Sequence, residues 1–221
     1  MPSFDLSSVV RPEDCLALQS AIGDRAVTLA SNSPRRRQIL EACGIAFRAT
    51  DPGVDEPPPP ARNHRSWVRR WAVRKALKGS ALARQLPDVS PSELILAADT
   101  IVVHRGKGLG KPKNADEAAA MLQRLSGDTH RVITGIAVAS SRSGRPEVCS
   151  AGSEESRVRF RRLTPREIAA YVATDEPFDK AGGYAIQGAA GGFITSVEGP
   201  IDNVVGLPVR RLAQVTRRAL K

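Results

Sequence analysis

Two periodicities alternate along this chain. Short apolar runs at residues 26–30, 45–50 and 94–103 read as strands, the last buried on both faces. Between them, apolar residues recur every three or four positions, the spacing of a helix face. Residues 34–43 carry Ile39, Leu40 and Cys43 inward, and Gly44 suits the helix end. Val68, Trp71, Ala72, Leu82 and Leu86 share one stripe over residues 65–86. Ala118, Met121, Leu122 and Leu125 form another, opened by Asn114 and Glu117 in capping-box-like spacing and closed by Gly127. Two longer strands, 129–141 and 147–161, flank Arg142-Ser143-Gly144-Arg145, a hairpin signal. Thr164 and Glu167 spell a second capping box, with Pro165 at the first helical position, and that helix runs to about residue 174. A short strand at 193–197 and a helix from 207 to the end complete the pattern.

The connecting segments are equally marked. Residues 51–63 form a loop, because the prolines at 57–60 continue neither a helix nor a central strand. Residues 104–112 read as a turn, and 179–192 as a glycine-rich stretch carrying Lys180, Tyr184 and Gln187. Residues 1–24 hold only a weak helical pattern around Leu16, Leu18 and Ile22; they read as a mobile N-terminal extension, with residues 25–221 as one domain. Strands alternate with helices until the hairpin, which rules out an all-parallel sheet. The fold class is therefore α/β with a mixed sheet.

Composition narrows the partners. The net charge of +10 suits an acidic ligand, whether nucleotide, nucleic acid or anionic surface. Aromatics at 4% disfavour the base-stacking surfaces of single-strand binders. No apolar run approaches the roughly 20 residues that span a bilayer, and the N-terminus lacks a signal-peptide pattern. Cys15, Cys43 and Cys149 are scattered without metal spacing, which suits reduced thiols in a cytoplasmic protein.

Chemistry concentrates at a few positions. After the first strand come Ser31, Asn32, Ser33 and Pro34, then Arg35, Arg36 and Arg37. Ser33 is a good N-cap, and a helix start with added arginines either binds a polyanion or is a capped helix with a solvated basic turn. Lys75 sits inside an apolar stripe, so it either snorkels to the rim or reaches into a cleft. Asp99 is the one carboxylate in a buried strand; it binds a metal, activates water, or bonds a loop backbone. Lys111, between Gly110 and Pro112, can contact phosphate. Glu56, beside Asp55, is either a metal ligand or loop solvation. Gln187 either reads a base edge or is structural. His64, His104 and His130 are too dispersed for a zinc site.

Several segments together resemble the Maf family of nucleoside triphosphate pyrophosphatases. They are residues 29–36, 98–100, 110–112, 125–130, 176–188 and 203–208, in family order and spacing. The resemblance implies a central mixed twisted sheet flanked by helices, two lobes around a cleft, in a Maf/inosine triphosphatase-like fold. It implies metal-assisted hydrolysis of a nucleoside triphosphate to monophosphate and pyrophosphate, with Mg²⁺ or Mn²⁺ as the ion and a homodimer as the assembly. Arg35, Arg36, Lys75 and Lys111 match phosphate-binding positions, Asp99 the catalytic acid, and Glu56 a nearby acidic one. Arg35, Thr100 and Gln187 match positions tied to substrate choice, and the segment around Gln187 resembles the subgroup acting on dTTP and UTP. Pro200 and Ile201 depart from the family pattern, as does the proline run. A basic nucleic-acid-binding protein and a non-enzymatic regulator of septum formation are the rival readings.

Overall fold

The computed structural model describes residues 9–85, 90, 92–140 and 147–221. Seven strands form one mixed sheet in the order β2-β1-β3-β5-β6-β7, with β4 paired to β3 off that path. The strands are β1 (Val27–Ala30), β2 (Arg48–Thr50), β3 (Leu94–His104), β4 (Lys107–Leu109), β5 (Thr129–Ser140), β6 (Glu147–Phe160) and β7 (Ile194–Glu198). The helices are α1 (Pro12–Ile22), α2 (Pro34–Ala42), α3 (His64–Ala83), α4 (Ala115–Leu125), α5 (Pro165–Val172), α6 (Ile201–Val205) and α7 (Val209–Ala219). Both β1–β2 and β1–β3 are parallel, while β3–β5, β5–β6 and β6–β7 are antiparallel, as the α/β reading with a mixed sheet requires.

Two cores cover the sheet. Helices α1, α2 and α7 enclose one with β1, β3 and β5, where Leu18, Leu29, Leu40, Leu96 and Leu212 are fully enclosed. Helix α3 lies across the other face, packing Val68, Ala72 and Ala76 against Ile95, Ile101 and Ile133. It approaches closely because Gly135 and Gly79 carry no side chain. A Cβ at Gly135 would stand 2.3 Å from the Val68 backbone. A third cluster joins α4, α5, Tyr184 and Phe193 to the far ends of β3, β5 and β6.

The structure corrects some boundaries. From Pro12 onward the N-terminal extension is a packed helix rather than a loose tail, with Leu18 and Ile22 buried in the main core. The strand read over 45–50 forms only at Arg48–Thr50, at the exposed sheet edge. The turn read over 104–112 contains strand β4. Arg105 (φ 46°) and Gly106 (φ 79°) both lie in the left-handed region, the geometry of a two-residue hairpin loop matching strand twist. Helix α3 ends at Ala83, short of the expected 86, and helix α6 was not expected. Leu86, the turn at 142–145 and the Cys149 side chain lie outside the described residues. No helix among the described residues is long and apolar enough to cross a membrane.

One topological feature positions the site. On one flank of β3, β1 pairs as far as Leu96 and β4 begins at Val102. Among the described residues no strand pairs with 97–101 on that side, and the sheet opens there. Adjacent residues Asp99 and Thr100 point to opposite faces, and both reach the opening.

Candidate active site

That opening is a cleft of about 1180 Å³, lined by Ser33, Arg35, Arg36, Glu56, Lys75, Asp99, Thr100, Lys111 and Gln187. These nine residues meet in one place, drawn from β3, α2, α3 and four loops, while Arg37 of the basic turn does not line the cleft.

Asp99 is 2% exposed at the floor. Lys75 Nζ donates to its Oδ1 at 2.6 Å, and Lys75 also pairs with the Glu56 carboxylate. Lys75 thus reaches inward from the apolar stripe of α3 instead of snorkelling, with the ammonium held between two carboxylates. Asp99 Oδ2 is buried and has no partner among the described residues. Burial pushes the Asp99 carboxyl up to about 6, against the pull of Lys75, while Glu56 adds to the rise. Burial also raises Glu56, but the Lys75 charge and hydrogen bond outweigh it and hold that group below the usual carboxylate range. The proline run fixes the Glu56 loop: Pro59 sits against β4 so closely that a Cβ on Gly108 would come within 2.4 Å of it.

The opposite wall is the turn between β1 and α2. Ser33 occupies the N-cap position, yet its side chain makes no capping bond. Ser31 serves the turn instead. Its Oγ accepts from Ser33 N at 3.2 Å and from Arg36 Nη1 at 3.0 Å. Arg36 folds back into the protein, donating from Nε to Gly206 O at 2.9 Å and from Nη2 to Thr100 Oγ1 at 3.1 Å. Burial lowers its pKa, opposed by Asp99 and Glu56. Arg35 lies at the mouth, donating to Asp179 Oδ2 at 3.1 Å. Asp179 in turn pairs with Lys180. Lys111 is exposed on the rim after β4, beside Gly110, whose carbonyl accepts from Gly182 N at 2.9 Å. Gln187 is half-buried in the glycine-rich segment, where the Glu176 carboxylate accepts from Ala189 N and Tyr171 Oη.

Other lining residues carried weaker sequence signals. Trp67 reads as part of a helix, and Asp179, within the family-like segment 176–188, as loop solvation or a metal ligand beside Pro177. Ser31 was visible only as part of the polar turn. Seven cationic and six anionic side chains line the cleft, leaving one net positive charge. The cleft thus sets charged groups of both signs among apolar ones such as Trp67, Met121 and Ile186. Its floor offers one unsatisfied carboxylate oxygen.

Comparison with known proteins gives a consistent picture. The profile of the family described as "Maf-like protein" matches residues 26–219. The chain is 45% identical over 192 residues to the "dTTP/UTP pyrophosphatase" of Pelotomaculum thermopropionicum, covering 87% of this chain and 95% of that protein. It is 45% identical to the protein of that name from Anaeromyxobacter sp. (strain Fw109-5), covering 87% and 89% of the two chains. For the Escherichia coli (strain K12) protein of that name the identity is 43%, covering 82% and 86%.

Proposed function

This chain belongs to the Maf family, and from that membership we propose that it is a nucleoside triphosphate pyrophosphatase that clears dTTP and UTP, or related pyrimidine nucleotides, from the nucleotide pool. The observation that carries the reading is the meeting of buried Asp99 and its partners Lys75 and Glu56 with Arg36 across one cleft. A triphosphate brings about four negative charges, which basic residues at the mouth and wall offset in part. Arg35, Arg36, Lys75 and Lys111 bind its oxygens. Ser33, with its hydroxyl uncommitted to capping, lies beside them. Thr100 and Gln187 contribute to substrate choice.

Asp99 accepts a proton from water, which attacks the α-phosphorus; the bond to the bridging oxygen breaks and pyrophosphate leaves with its electron pair. Lys75 orients Asp99 and stabilises charge developing on the phosphate oxygens. Positioning in the cleft supplies much of the remaining acceleration.

The donor set fits a hard divalent cation. Asp99 Oδ2 is an unpartnered buried oxygen, and Glu56 stands on the same ammonium. Among the described residues no group of three or more His, Cys, Asp or Glu side chains converges, so the protein would offer such an ion only Asp99 and Glu56. With one net positive charge lining the cleft, the side chains alone leave much of a triphosphate's charge unmatched. Asp99 and Glu56 would hold Mg²⁺ or Mn²⁺, which when bound polarises the phosphate oxygens. A homodimer in the cytoplasm, acting on free nucleotides without stable nucleic-acid binding, completes the proposal; light scattering tests the assembly.

A panel of triphosphates scored for pyrophosphate, with Mg²⁺, Mn²⁺ or chelator, tests the activity. Asp99→Asn should cut turnover by roughly 10³-fold or more while circular dichroism remains that of the parent. Undiminished pyrophosphate release from that variant would remove Asp99 from its role.

A further inference from the structure

Residues 203–208 carry a family-like motif, yet none of their side chains enters the chemistry above. Two of their carbonyls reach the site. Gly206 O accepts from Arg36 Nε at 2.9 Å, and Asn203 O accepts from Thr134 Oγ1 at 3.1 Å. Thr134 is fully buried on β5, directly opposite Thr100 in the β3–β5 ladder. Their hydroxyl oxygens stand 3.0 Å apart, and Thr100 Oγ1 stands 3.1 Å from Arg36 Nη2.

Distance leaves the hydroxyl hydrogens unassigned, but donor counting assigns them. A guanidinium only donates, a backbone carbonyl only accepts, and each threonine hydroxyl owns one hydrogen. One arrangement satisfies all three contacts: Arg36 donates to Thr100, Thr100 to Thr134, and Thr134 to Asn203 O. The far end is anchored in turn. Asn203 Nδ2 donates to Val132 O at 3.1 Å and to Ser156 Oγ at 3.0 Å, and Ser156 Oγ donates to Pro200 O at 2.7 Å.

We propose that Thr134 is a positioning residue of the active site, which sets the direction of the Thr100 hydroxyl and thereby holds the Arg36 guanidinium toward the triphosphate. The bonds to Gly206, Ser31 and Thr100 use three of the five guanidinium N–H groups. The remaining two are available to an anion in the cleft that Arg36 lines. A valine at 134 keeps the shape but cannot accept. The Thr100 hydrogen then has no acceptor on that side, so nothing fixes the direction in which the Thr100 oxygen presents its lone pairs to Arg36. The inference rests on Arg36 as a phosphate-binding group.

Steady-state kinetics with dTTP, paired with thermal unfolding, test it in Thr134→Val, Thr134→Ser, Thr100→Val, the Thr134→Val/Thr100→Val double variant and Arg36→Ala. Thr134→Val should raise KM roughly tenfold with a smaller change in kcat, and Thr134→Ser should stay within about twofold of the parent. The double variant should be no worse than Thr100→Val alone, because both break one relay. A parental KM in folded Thr134→Val, a Thr134→Ser as impaired as Thr134→Val, or additive losses in the double variant would each overturn the relay. If Thr134→Val does not fold, Thr134→Cys replaces it: similar volume, weak hydrogen bonding, the same raised KM expected, and a parental KM equally fatal. Arg36→Ala separates the two levels. A parental KM there overturns the phosphate role itself, whereas a raised KM there beside a parental Thr134→Val overturns the relay alone.

Discussion

At the scale of single residues, burial decides what each ionisable group can do. Asp99 is expensive to bury, and Lys75 and Glu56 make the site a three-member charge cluster. His130 shows the opposite balance. It is 1% exposed and packed edge-on against Phe160 and Tyr184, and its Nε2 lies 2.6 Å from Tyr184 Oη. Burial pushes its pKa down to about 3; His104 adds to the fall and Asp128 opposes it. A histidine whose folded pKa is depressed contributes stability that is present above its unfolded pKa, about 6.5, and lost as pH falls toward 3. His130→Gln should flatten that loss, which reaches about 1.4 kcal/mol per pH unit for one proton. Urea titrations between pH 7 and the acid limit measure the slope, and an unchanged slope would assign the acid sensitivity to other groups. The sequence placed His130 at the end of the family-like segment 125–130 and among three histidines too dispersed for a zinc site; its neutrality comes from what surrounds it.

Elements act through the spacing between them. Helix α3 delivers Lys75 to Asp99 only because it lies almost on the backbone of β5, and Gly135 makes that approach possible. Gly135→Ala should destabilise the protein by about 3 kcal/mol, since the new methyl meets main chain that cannot swing aside. It should also lower turnover by moving Lys75 away from Asp99. Denaturant unfolding and pyrophosphate release measure the two effects, and a variant with parental stability would disprove the tight contact. The helix periodicity of this segment was legible in the sequence, as was the lysine on its apolar face. The side of the protein to which that face turns was not, because spacing encodes a stripe and not its partner. The same holds for α1. Its pattern is weak alone, and burial of Leu18 and Ile22 against the core with α7 is what orders it.

Across the whole molecule, charge is unevenly useful. The net +10 is spread over many helices and strands, whereas the cleft itself is nearly balanced. Substrate attraction therefore depends on a general positive field at long range and on placed groups at short range. Screening should weaken the first more than the second. Raising salt from about 0.1 M to 1 M shortens the Debye length from roughly 10 Å to 3 Å, and KM for dTTP should rise several-fold while kcat changes little. Kinetics across a salt series measure this, and a flat KM would place all the attraction in direct contacts.

By itself, the sequence determined the order of the longer strands and helices, the capping box of Thr164 and Glu167, the basic turn after β1 and the lone acid in β3. These depend on neighbours a few positions away, and local periodicity records them directly. Only the tertiary structure decided that Lys75 turns inward, that Glu56 joins it, and that β4 leaves the flank of Asp99 open. It also decided that Arg36 is braced by Gly206 and Thr134 by Asn203, pairs separated by 170 and 69 positions. Such contacts form where packed layers bring distant donors and carbonyls to hydrogen-bond distance, a coincidence of three-dimensional closure that no one-dimensional spacing encodes.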